Sequence, residues 1–84
     1  AARVGGMASI VVYVVGGGEA LTDCVLVAQI DGVIVDPQFT DDGGFVEFEL
    51  GDAQSIDWIH VQPSRGFWDR RISNVKDHSV VELV

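Results

Sequence analysis

Thr40-Asp41-Asp42-Gly43-Gly44-Phe45-Val46-Glu47-Phe48-Glu49-Leu50 joins an acidic glycine turn to a run that alternates between apolar and charged residues. Asp41 and Asp42 carry carboxylates able to accept hydrogen bonds from nearby backbone N–H groups. Gly43 or Gly44 can take the positive φ that a tight turn requires. In the run that follows, Val46, Phe48 and Leu50 share one face, while Phe45, Glu47 and Glu49 share the other. One face therefore meets a core and the other meets water, as in a half-buried strand of an antiparallel sheet.

Working outward from this hairpin, the same grammar repeats. Ala8-Ser9-Ile10-Val11-Val12-Tyr13-Val14-Val15 is nearly continuous in apolar and β-branched residues and is bounded by glycines, which predicts a first strand covered on much of both faces. A polar turn over 16–23 leads to a second strand over 24–30. Asp31-Gly32 is a strong two-residue hairpin signal, because it accepts positive φ at low cost. The run 33–39 is extended, but Pro37 has no N–H to donate and places it at a periphery. Beyond Leu50, strands are predicted over 56–62, 71–75 and 79–84. Ile59 and Val61 are expected in the core, with Ile56 on the outer face beside a partly exposed Trp58. About seven short strands at spacings of roughly 8 to 12 residues, with no amphipathic helix, define an all-β, antiparallel β-sandwich.

The 84 residues suffice for one core over 8–84, preceded by a flexible lead over 1–7. A formal charge of −8, from 13 acidic and 5 basic residues, repels nucleic acid and anionic lipid alike. No apolar run reaches the roughly 18 residues of a membrane-spanning helix. Cys24 stands alone, which rules out an internal disulfide, leaves the redox compartment open, and fits a small buried hydrophobe.

Three segments resemble the carboxypeptidase regulatory-like family of prealbumin-like sandwiches, within the broader immunoglobulin-like architecture. Gly18-Glu19-Ala20-Leu21 with Val25 and Val27 is similar to the family's turn and second-strand opening. Thr40 through Val46 resembles its threonine-aspartate-x-glycine turn. Val61 through Trp68, with Pro63 and Gly66-Phe67-Trp68, resembles the segment of such domains that precede subtilisin-like serine peptidases. The resemblance implies a non-catalytic accessory module attached to a larger protein, with no catalytic residues and no cofactor.

The residues point the same way. His60 and His78 are the only near-neutral general bases, and Ser64 lacks the G-x-S-x-G surroundings of a nucleophile elbow. Cys24, His60 and His78 lack paired zinc-ligand spacing. Asp41 and Asp42, even with Asp23, Asp31 or Asp36, do not follow the EF-hand pattern, so no metal is expected. What remains is an aromatic and basic group: Trp58, Arg65, Phe67, Trp68 and Arg70. Large aromatics with arginine are favoured anchors at protein interfaces, so these five are the expected protein-binding residues, for a partner protein or a neighbouring domain; the other reading is a local cap that closes the open end of the sandwich, with Arg65, Arg70 or Arg71 stacking on the rings. The alternative is a carbohydrate-binding module in which Trp58, Phe67 and Trp68 stack on sugar rings.

Overall fold

A computed structural model describes residues 8–53 and 55–84, so the lead expected over 1–7 lies outside the described residues. Its regular elements are strands: β1 (Ala8–Gly16), β2 (Glu19–Ala20), β3 (Val25–Ile30), β4 (Val33–Ile34), β5 (Gln38–Phe39), β6 (Phe45–Gly51), β7 (Ile56–Gln62), β8 (Arg70–Val75) and β9 (Ser79–Leu83). The described residues thus hold nine segments rather than seven, for two local reasons. Asp36-Pro37 interrupts the third expected strand and divides it into β4 and β5. Glu19 and Ala20, expected within a turn, pair with Gly16 and Val15.

The strands form two sheets. In the first, β1 is central. β6 pairs antiparallel with it, Phe48 opposite Ile10 and Phe45 opposite Tyr13, and β2 continues along the same edge. β9 takes the opposite edge and runs parallel, with Tyr13 opposite Val80, so the sheet is mixed rather than wholly antiparallel. The turn before β9 accounts for this direction. Asp77 Oδ1 accepts the Val11 N–H at 2.8 Å, and the His78 N–H donates to the Val11 carbonyl at 2.9 Å. The chain, arriving from the other sheet, is thereby fixed beside the middle of β1.

In the second sheet β3 is central, with β7 on one edge, β4 and β5 on the other, and β8 outside β7. The Asp31-Gly32 turn between β3 and β4 has φ of 52° and 79°, the paired positive values of a type I′ hairpin. Asp57 secures it, its Oδ2 accepting the Gly32 N–H at 3.0 Å and the Gln29 Nε2–H at 3.2 Å.

Strict alternation directs Ile10, Val12 and Val14 of β1 and Val46, Phe48 and Leu50 of β6 inward. They meet Leu26 and Ala28 of β3 and Ile59 and Val61 of β7 in one core cluster. A sandwich-like arrangement follows, because each sheet has one apolar face to bury. Ile56 departs from its expected outward position and is fully buried. It sits at the start of β7 opposite Val75, also buried and next to Asn74, which takes a left-handed φ of 54° within β8.

The turn between β5 and β6, expected as a hairpin, instead carries the chain from the second sheet to the first, because β5 pairs with β3 and β6 with β1. Its local chemistry is as predicted. Asp41 Oδ1 accepts the N–H groups of Gly43 and Phe45, both at 2.9 Å, and Gly44 holds φ at 82°. Thr40, buried at the foot of this turn, uses Oγ1 to accept the Cys24 N–H at 3.0 Å while its own N–H donates to the Cys24 carbonyl.

Candidate protein-docking site

The segment between β7 and β8, two neighbouring strands of the second sheet, reaches across to the first. The Trp68 N–H donates to the Val84 carbonyl at 2.8 Å, and Arg70 Nη1 donates to the Glu82 carbonyl at 2.7 Å. These contacts tie the entry of β8, in one sheet, to β9, in the other. Phe67 turns inward and packs partly buried against the core. Its ring lies over Gly16, where an added Cβ would meet Cε1 at 2.7 Å, with Leu21 at 2.8 Å on the same spot. Gly66, before it, takes a left-handed φ of 81° that reverses the chain.

With its backbone pinned and its neighbour anchored, Trp68 projects outward at 80% exposure. Val84, whose carbonyl holds it, is also exposed. A held backbone lowers the ordering cost of placing an indole in a partner's pocket.

The five residues singled out in the sequence occupy different surroundings. Phe67, Trp68 and Arg70 share the corner just described. Arg65 is exposed in the loop before it. Trp58 lies on the outer face of the second sheet, half-buried, with the Arg71 guanidinium carbon 3.9 Å from its ring centroid. This contact follows from the β7–β8 register, which sets Arg71 opposite His60 and diagonal to Trp58. Beside it, His60 Nε2 lies 3.1 Å from Asp69 Oδ2, with both side chains about half exposed. Arg71 is one of the three arginines that the sequence offers for stacking on the rings, whereas the His60–Asp69 pair is not among the sequence candidates. Nothing local marks residues nine apart as partners until the hairpin register is known.

The remaining chemically active groups are committed to the fold. Cys24 is buried in the core, and burial pushes its thiol above the ordinary value, partly offset by the Thr40 hydroxyl. Asp41 commits one carboxylate oxygen to its own turn. Among the described residues no three His, Cys, Asp or Glu side chains gather as a metal site would need. Comparison with protein-family models, with curated proteins and with solved structures found no match for this chain.

Proposed function

We propose that this chain is a non-catalytic accessory domain of prealbumin-like or immunoglobulin-like type that docks onto a partner protein or a neighbouring domain, with Trp68 as its anchor. The observation that carries the reading is the outward Trp68 indole on a backbone fixed by Val84 and buttressed by Phe67 over Gly16. Interface energy concentrates in a few such aromatic and arginine residues, and a preorganised one gives up little entropy on binding. Arg65 and Arg70, both exposed and within three residues of Trp68 along the chain, would supply charge at the rim. The resemblance of Val61 through Trp68 to segments preceding subtilisin-like peptidases suggests such an enzyme as the neighbour. Sugar stacking by all three aromatics has less support, because Arg71 covers one face of Trp58 and Phe67 is directed into the core.

The test is calorimetric titration of the domain with the remainder of its parent chain or the peptidase encoded beside it. Trp68→Ala should weaken association by at least about 30-fold, the scale of an interface hot spot, while leaving the unfolding midpoint unchanged. Undiminished association by the folded variant overturns the assignment.

A further inference from the structure

β6 has a second edge, away from β1. Among the described residues no strand pairs with it. The hydrogen-bond phase shows which groups it presents. Val14 sends its N–H to Gly44 and its carbonyl to Leu21, so even-numbered β1 residues point toward β6, while Val11 points toward the turn before β9. Val46 and Phe48, opposite Val12 and Ile10, are therefore the β6 residues bonded to β1. Phe45, Glu47 and Glu49 direct their backbone groups outward. Those of Phe45 are taken up by the Asp41 turn. Those of Glu47 and Glu49 have no strand beside them.

This edge opens into a groove of about 390 Å³ between β6 and the β4–β5 segment, lined by Val35, Asp36, Gln38, Glu47, Phe48 and Glu49. Val35 gives it a small apolar surface, with Phe48, only 3% exposed, beneath the floor. Asp36 and Glu49 bring carboxylates from the two sides, Glu47 gives one carboxylate oxygen to the Ser9 hydroxyl at 2.8 Å, and no cation is among the lining residues. The opposite margin of the second sheet, β8, instead carries Arg70 and Arg71.

We infer that the β6 edge is a strand-addition site for an extended segment of a partner protein with Lys or Arg at alternate positions. Its main chain would pair with Glu47 and Glu49, its cations would face Asp36 and Glu49, and its intervening apolar residues would lie over Val35. A second copy of this chain does not fit, since pairing β6 with β6 sets Glu47 and Glu49 against like charges. The inference rests on the accessory-domain reading only in taking a protein as partner. It uses the edge of the first sheet opposite β9, away from Trp68.

The probe is an acetylated, amidated peptide alternating Lys and Val, titrated into ¹⁵N-labelled domain. Binding should slow hydrogen exchange of the Glu47 and Glu49 amides by at least about tenfold, weaken as salt is raised, and weaken at least tenfold in Asp36→Lys/Glu49→Lys. A peptide with proline in place of the central valine should lose the exchange protection. Trp68→Ala should leave binding intact, which separates this site from the docking corner. Absence of binding, equal binding of the proline peptide, shifts spread over all acidic side chains without protection at Glu47 and Glu49, or protection that rises with protein concentration alone each overturns the inference.

Discussion

The N–H of Val14 donates to the carbonyl of Gly44 at 2.8 Å, and a Cβ built on Gly44 would stand 2.8 Å from the Val14 carbonyl oxygen. At φ 82°, Gly44 is thus held in a left-handed conformation and pressed against the central strand. Gly44→Ala should cost more than about 1 kcal/mol through backbone strain alone, with the close contact adding to it. Gly43→Ala should cost less, because its nearest obstacle is the movable Phe45 ring at 3.2 Å. Urea denaturation of the two variants ranks them, and an equal loss would remove the special role of Gly44.

Register predicts a second contrast on adjacent residues. Phe48 is 3% exposed, whereas Glu47 faces outward with the Ser9 hydroxyl as its partner. Phe48→Ala should destabilise by about 3 to 5 kcal/mol, enough to unfold much of a small domain. Glu47→Ala should cost no more than about 1 kcal/mol. If Glu47→Ala proves the more damaging change, the faces of β6 have been assigned the wrong way round.

Thr40 offers a test of a buried hydrogen bond. Thr40→Val keeps the shape of the side chain but removes the acceptor of the Cys24 N–H, in a bond between two buried residues. Leaving that donor unpaired should cost about 1 to 3 kcal/mol, read from the shift in thermal midpoint. A Thr40→Val domain as stable as the parent would mean that the Cys24 amide finds another acceptor.

Acid should weaken the attachment of the β8–β9 turn. The Val11 N–H bond holds the Asp77 carboxyl below its ordinary value of 3.8. A group with a depressed folded pKa binds fewer protons folded than unfolded, so its contribution is complete above 3.8 and is lost as pH falls through the lower folded value. Denaturation of the parent and of Asp77→Ala from about pH 7 to about pH 2.5 should show a stability gap that narrows only below about pH 4. A gap that stays constant throughout would assign the Asp77 contribution to something other than its charge.

What the chain reveals in one dimension is whatever is encoded within a few residues. The faces of β6, the Asp41 turn, the type I′ hairpin at Asp31-Gly32 and the peripheral place of Pro37 all follow from neighbours along the sequence. The partnership of Thr40 with Cys24, the role of Asp57 at Gly32 and the parallel course of β9 do not, because each depends on which strands lie side by side. Ile56 was misplaced for a related reason, since period-two counting fails where a strand begins beside a left-handed residue such as Asn74. In the candidate site, sequence identified Phe67 and Trp68 as exceptional. Only the contact of Phe67 with Gly16 separates the buttress from the exposed ring.

Since β9 shares the central strand with β6, the scaffold joins segments from far apart in translation: Asp77 reaches Val11 across 66 residues. Pairings of such separation pay their chain-closure entropy late and fold slowly. During synthesis one margin of β1, among the most apolar strands of the chain, stays bare until Ser79–Leu83 has cleared the ribosome. The nascent polypeptide therefore cannot accrete its sheets in order, and its yield in the cell should depend on what shelters that margin while the rest is being made.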